Sequence, residues 1–221
     1  MRERDADMRR TWRALALVAA TLLVLSAPRQ SFAGPATDQV KATVDQVIKI
    51  LTDPALKGEQ KTQERRAKTR QVVLQRFGFN EMAKRSLGVH WSERTPQERA
   101  EFVKLYTDLL ERAYVDRVEG YTGEKILYVG EVVDGNYSEV KSKIVTKKNQ
   151  EVPIVYRLIK YDSNWEVYDI AIEGVSLVNN YRAQFSKIIR TSSYEDLVKK
   201  MQAKLDGEEA SDLGAPKPKV R

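Results

Sequence analysis

The chain contains no cysteine and a single histidine, His90. Without cysteine there is no disulfide, no thiol nucleophile and no thiolate ligand, so the fold must be held by its own core. His90 has no second imidazole to work with. The run Gly174-Val175-Ser176-Leu177-Val178 lacks the closing glycine of a nucleophile elbow, and no other histidine can activate Ser176. No HExxH, acidic calcium loop or glycine-rich phosphate loop is present. Glu166 and Asp169 stand three apart in a strand pattern, which places them on opposite faces and prevents a carboxylate pair. The expectation is a protein that is not an enzyme and uses no cofactor and no metal.

Long apolar runs are scarce too. Ala14 to Leu25 is uncharged over twelve residues, short of the roughly 20 that cross a bilayer as a helix. Arg9, Arg10 and Arg13 precede it. Ser31-Phe32-Ala33 follows, with small residues two apart as a signal peptidase requires. Residues 1–33 therefore read as a cleaved secretory signal, and no cysteine is there to carry a lipid. An excess of one charge is nearly missing. The full sequence carries +7; residues 1–33 account for six arginines and three acids, and their removal leaves +4. Bases alternate with acids, as in Lys57-Gly58-Glu59-Gln60-Lys61. No concentrated basic stripe exists, so nucleic acid is not expected as a partner.

What is present is periodicity. Val40, Val44, Val47, Ile48 and Leu51 form one apolar stripe of a helix over 38–52, which Asp53-Pro54 ends. A charged helix over 59–76 and a short one over 80–87, capped by Asn80, come next. Thr95-Pro96-Gln97-Glu98 is a capping box with proline at the first helical position. The helix it opens, to about Val118, is apolar over a wide arc. The period then changes to two. Strands are predicted with Ile126, Tyr128 and Val132, then Val140, Ser142 and Ile144, then Ile154, Tyr156 and Leu158, then Tyr168, Ile170 and Ile172 on one face. Tight turns between them make a four-stranded antiparallel meander, and helices before and after must cover one face. The fold class is α+β. Gly174 permits a bend into a helix carrying Val178, Tyr181, Phe185, Ile188 and Ile189, and a last helix spans 194–205. Domain limits are read as 34–205, with a polar, disordered tail over 206–221.

Three segments resemble one known family. Trp165-Glu166-Val167-Tyr168-Asp169-Ile170-Ala171-Ile172-Glu173-Gly174-Val175-Ser176 is similar to the W-x-x-Y-D-I-x-x-E-G-V-S signature of MlaC-type proteins, once called toluene-tolerance proteins. Thr95-Pro96-Gln97-Glu98-Arg99 with the helix through Tyr114 resembles the family's T-P-x-x-R opening. Phe77-Gly78-Phe79-Asn80-Glu81-Met82-Ala83 looks like its F-D-F-x-x-M-A stretch, with Gly78 where an acid is frequent. The resemblance covers roughly residues 38 to 205.

It implies a periplasmic carrier of phospholipid or a related membrane lipid. Such a carrier would act between an outer-membrane lipoprotein–porin complex and an inner-membrane ABC transporter with its substrate-binding complex. It also implies a curved sheet of the nuclear-transport-factor-2-like kind, wrapped by N- and C-terminal helices around an apolar cavity. On that reading Phe77, Phe79, Met82, Phe102, Tyr106, Leu109, Tyr114, Tyr128, Tyr156, Tyr168, Ile170 and Phe185 are the expected lipid-binding residues, and Gly174 a hinge. Periodicity alone cannot separate a hollow core from a filled one, so an envelope scaffold without a cavity stays open. So does a carrier of hopanoid-type lipid from the same family. The processed chain is expected to begin at Gly34; N-terminal sequencing that finds Met1 retained on membrane-bound protein would overturn this.

Overall fold

The computed structural model describes residues 34–208 and 213–214. The signal segment read at 1–33 lies outside them. Among the described residues six α-helices and five strands follow one another. Helix α1 (Pro35–Thr52) has proline in its first turn and stops at Asp53, whose extended backbone precedes Pro54. Two short 3-10 turns lead to α2 (Thr62–Arg76). Helix α3 (Phe79–Leu87) starts one residue earlier than its asparagine signalled. Gly78 takes the cap position because its N–H is held by the Val167 carbonyl at 3.0 Å. Helix α4 (Pro96–Glu119) has the expected capping box. The Glu98 N–H donates to Thr95 Oγ1 at 3.2 Å, and the Thr95 N–H to Glu98 Oε2 at 2.7 Å.

The strands β1 (Lys125–Asp134), β2 (Tyr137–Val145), β3 (Glu151–Tyr161), β4 (Asn164–Ile172) and β5 (Val175–Ser176) pair in sequence order, each antiparallel to the next. The sheet is curved, and has one strand more than the four predicted. The reason is the Glu173-Gly174 turn. Ile172 pairs with Val175 across it, and both turn residues have positive φ, 51° and 80°. That is the geometry of a two-residue hairpin, which favours glycine. The chain doubles back into β5 before α5 (Leu177–Thr191) begins, where a simple strand-to-helix bend was expected.

Two bulges also depart from strict alternation. In β1 the register shifts between Tyr128 and Gly130, so Glu131 points inward opposite Val140 and Val132 is left 57% exposed. In β4, Tyr168 and Asp169 together oppose Arg157, whereas Tyr156 faces Ile170 and Leu158 faces Val167. Trp165, Val167, Ile170 and Ile172 thus share the inner face, and Tyr168 turns to the other one. There its ring meets the Arg85 guanidinium at 4.1 Å and the Tyr137 ring edge-on at 6.1 Å. The bulge also puts Glu166 and Asp169 on the same face, contrary to the simple alternation. One extra residue inverts the facing of everything beyond it.

Two cores result. The larger lies among α3, α4, α5 and α6 (Tyr194–Asp206), around Phe102, Tyr106, Tyr181, Phe185 and Leu197. Leu213, in the segment expected to be disordered, is buried in it as well, and the neighbouring Gly214 N–H donates to Gln184 Oε1 at 2.9 Å. The smaller core joins the start of α1 to the inner sheet face, where Ala36 and Val40 meet Val140, Leu158, Trp165 and Val167. Glu131 fastens this end by accepting from the N–H groups of Gly34 and Thr37 at 3.1 and 2.7 Å. A carboxylate is favoured at that helix terminus.

Asp169 fastens the other end. It is 3% exposed and accepts from Arg157 Nη1 at 2.7 Å, Ser176 Oγ at 2.7 Å and the Val178 N–H at 3.1 Å. The start of α5 is thereby tied to β4. Removing the carboxylate leaves the Val178 N–H and the Ser176 hydroxyl without their acceptor at the start of α5, and leaves Arg157 with Glu139, at 3.1 Å, as its remaining partner. Asp169→Ala is expected to lower the unfolding free energy by about 3 kcal/mol, measured by urea denaturation; a loss below about 1 kcal/mol would show that the tie contributes no more than a surface pair.

Candidate functional site: an apolar cavity between sheet and helices

An apolar cavity of about 820 Å³ separates the two cores. Its floor is the inner sheet face, with Ile144, Val152, Ile154, Tyr156, Ile170 and Ile172. Its walls are the C-terminal half of α1, the inward side of α2 and the C-terminal half of α4. The α1 stripe shows how the space arises. Val40 at one end is 2% exposed and packs on the sheet. Val44, Val47, Ile48 and Leu51 continue the same stripe and are only half-buried, because they face the cavity. Leu74 and Val118 line it too, and are 45% and 37% exposed, which marks where it meets solvent.

Six of the twelve expected residues line this space: Phe77, Phe79, Met82, Tyr114, Tyr156 and Ile170. Phe77 and Phe79 stack with centroids 5.9 Å apart. The other six do not line it. Phe102, Tyr106 and Phe185 form the aromatic centre of the helical core, with Phe102–Phe185 and Tyr106–Phe185 centroids 5.5 and 6.0 Å apart. The Tyr106 hydroxyl accepts from Ser86 Oγ at 2.8 Å. Leu109 is buried in the same core. Tyr128 packs against the smaller core, and Tyr168 lies across the sheet. Helix α4 is apolar over a wide arc because it serves both spaces. Its Phe102, Tyr106 and Leu109 side faces α3, α5 and α6, while Leu110, Tyr114, Val115 and Val118 face the cavity.

The apolar stripe of α1 is legible in the sequence, but its partner is not. Val73 and Leu74 of α2 and Leu110, Val115 and Val118 of α4 line the cavity without being among the expected lipid-binding residues. The signal for α4 was the arc itself, too wide for one contact. For α2 the signal was weak, since Val72 is its one fully buried residue.

The remaining boundary is ionic. Helices α2 and α4 face each other across the cavity mouth and are joined by a ladder of charged side chains. Arg65 pairs with Glu119, Arg66 with Asp116 at 2.9 Å, and Arg70 with both Asp108, at 2.9 Å, and Glu111. Burial works against the Asp108 charge, but Lys104 and Arg70 outweigh it and hold its carboxyl below the usual range. At the far side Arg76 joins three elements: it donates to Gln39 Oε1 at 2.9 Å, Thr43 Oγ1 at 3.3 Å and the Trp165 carbonyl at 3.1 Å. Burial raises the phenols of Tyr114 and Tyr156 to about 12, against a small opposing pull of Arg117 on Tyr114. Both therefore stay neutral. Among the described residues no cluster of His, Cys, Asp or Glu could hold a metal ion, and no helix is long and apolar enough to cross a membrane. The arrangement can enclose an apolar ligand; it presents no nucleophile with a base beside it.

The family model for MlaC protein matches residues 41–203, which includes every lining residue of the cavity but Val40. The chain belongs to the MlaC family. It is 25% identical over 122 residues to the intermembrane phospholipid transport system binding protein MlaC of Haemophilus influenzae. That match covers 52% of this chain and 56% of the relative, so the chain spans about half the length of the curated relative. The fold also matches the solved structure of the phospholipid-binding protein from Ralstonia solanacearum in complex with a phospholipid. There the TM-score is 0.68 at 26% identity, covering 78% of this chain and 97% of the other.

The cavity floor and the helical core separate two substitutions that look alike in sequence, Ile170 being in β4 and Leu109 in α4. Ile170→Trp projects into the cavity and is expected to leave the urea midpoint nearly unchanged. Leu109→Trp overpacks the helical core and is expected to cost about 1–3 kcal/mol or more. Equal losses for the two would contradict the cavity as described.

Proposed function

We propose that this chain is a soluble periplasmic carrier of phospholipid and is not an enzyme. It would take up or deliver lipid at an outer-membrane lipoprotein–porin complex and at the substrate-binding complex of an inner-membrane ABC transporter. The observation that carries this reading is the apolar cavity of about 820 Å³ in a chain of this family. An acyl chain leaving a membrane gives up about 0.8 kcal/mol for each buried CH₂. A carrier must replace nearly all of it with apolar wall, and the sheet floor with α1, α2 and α4 supplies such wall. A scaffold has no use for a space of this size, since an unfilled cavity lowers stability. The relatives support the same reading: one is named for intermembrane phospholipid transport, and another holds a phospholipid.

Release requires the walls to part, and the magnitudes favour one seam. The hinge expected at Gly174 is a hairpin turn whose exit is tied to β4 through Asp169. Helix α4 is held to α3, α5 and α6 by buried aromatic packing. Helix α2 is joined to α4 by ion pairs, of which the exposed ones contribute about 0–1 kcal/mol each. We therefore place the opening between α2 and α4, with Gly174 at most a secondary flexing point.

Native mass spectrometry of the protein recovered from a bacterial periplasm tests the reading. A bound mass matching a phospholipid, confirmed by extraction, is expected for the unaltered chain and is expected to fall several-fold in Ile170→Trp. Recovery from the membrane fraction, or a folded protein that carries no lipid, would count against the proposal.

A further inference from the structure

Strand β1 is one edge of the sheet. It pairs with β2 on one side and, among the described residues, with no strand on the other. Of the devices that blunt an edge, it has a bulge but no proline, and its exposed charges, Lys125 and Asp134, stand only at its two ends. Between them Leu127, Val129, Val132 and Val133 are 41–57% exposed. Nine large apolar side chains are exposed among the described residues, and four of them lie on this one strand. Unpartnered apolar surface is thus concentrated at the free edge. Glu131, the remaining acid, is turned inward and held by the N–H groups of Gly34 and Thr37.

The bulge limits what this edge can pair with. In a regular strand, residues an odd number apart lie on opposite faces. Across the bulge they share a face. Ile126 and Val133 lie opposite Ile144 and Ser138 on the inner side, and Leu127 and Val132 lie opposite Lys143 and Glu139 on the outer side. A second copy of β1, antiparallel to the first about a two-fold axis perpendicular to the sheet, must set like faces against each other. Across the bulge, only positions an odd number apart can then be partners. The register centred between Val129 and Gly130 sets Leu127 against Val132, Ile126 against Val133 and Lys125 against Asp134, each pair twice. Apolar meets apolar along the strand, and opposite charges meet at both ends. A slip to either neighbouring allowed register sets Lys125 against Val132, or Leu127 against Asp134.

We infer that β1 is a self-complementary interface at which two copies of this chain join edge to edge. Two five-stranded sheets become one of ten strands. The axis keeps both inner faces on one side, so the two cavities lie on the same side of the joined sheet. Ile126 lines the cavity, and Val133 of the second copy lies beside it at the margin of the floor. One strand pair is a small interface of the transient class, so the dimer forms only at high protein concentration. The inference does not depend on the carrier reading.

Sedimentation velocity of the processed chain, from about 10 µM to about 1 mM, tests this. A monomer is expected at the low end and a dimer at the high end. Lys125→Asp and Asp134→Lys each set like charges against each other at both ends, and each is expected to weaken dimerisation about tenfold. Mixed in equal amounts, the two variants again set opposite charges together, and their heterodimer is expected to recover the affinity of the unaltered chain. The sequence has no cysteine, so a cross-link reports the register directly. Leu127→Cys mixed with Val132→Cys is expected to give a disulfide-linked dimer on oxidation, and Leu127→Cys alone is expected to give none. A chain that stays monomeric at every concentration, its edge taken by a different protein or by none, overturns the inference. So does a dimer that is indifferent to the charge variants, or one that cross-links as readily through Leu127→Cys alone.

Discussion

The inner face of the sheet is broader than the helix laid across it, and most of the structure follows from that mismatch. Helix α1 reaches the sheet at its N-terminal end, where Ala36 and Val40 are small enough for close contact with Val140, Leu158, Trp165 and Val167. Beyond Val40 the same apolar stripe runs on over the sheet without filling the space below it. Apolar surface faces apolar surface across a gap, which an ordinary core would close by collapse. Here collapse is opposed from both sides. The large aromatic cluster of α4, α5 and α6 fixes one wall, and the Arg76 junction with Gln39, Thr43 and the Trp165 carbonyl fixes the other.

The bulges set what the floor is made of. Strict alternation in β4 would have turned Tyr168 inward with Ile170 and Ile172, and Trp165 and Val167 outward. The extra residue at Tyr168 reverses the first half of the strand. Trp165 and Val167 then complete the smaller core, while Ile170 and Ile172 keep the cavity floor aliphatic. The same device in β1 brings Glu131 inward, where it holds the start of α1. Two local irregularities thus supply both the attachment of α1 and the chemistry of the surface it overhangs.

Among the described residues the boundary between α2 and α4 is carried by a row of ion pairs. Helices α3, α4, α5 and α6 meet through buried apolar side chains; here charged pairs bridge the two helices. A seam of this type is selective in direction without being strong. It keeps the mouth polar toward water, so that the wall below stays shielded, and it yields to a competing charged surface more readily than an aromatic core would.

Much of this was legible in the residues. The alternation after Lys125 showed the meander, Thr95 to Glu98 showed the start of α4, and the apolar stripe over Val40 to Leu51 showed a helix needing a partner. Local sequence determines such features because capping, turn formation and periodicity act within a few residues. The resemblance of three short segments pointed to the family that the match over residues 41–203 then established. Which aromatic faces which space was not legible. Phe102 and Tyr114 sit on one helix with similar character, yet one is packed solid and the other borders a cavity. Tyr168 and Ile170 are neighbours in a strand and end on opposite faces. Facing depends on bulges and on what other elements bring to each side, and hollowness depends on whether distant elements are held apart. Those are balances of long-range packing, and only the assembled tertiary structure decides them.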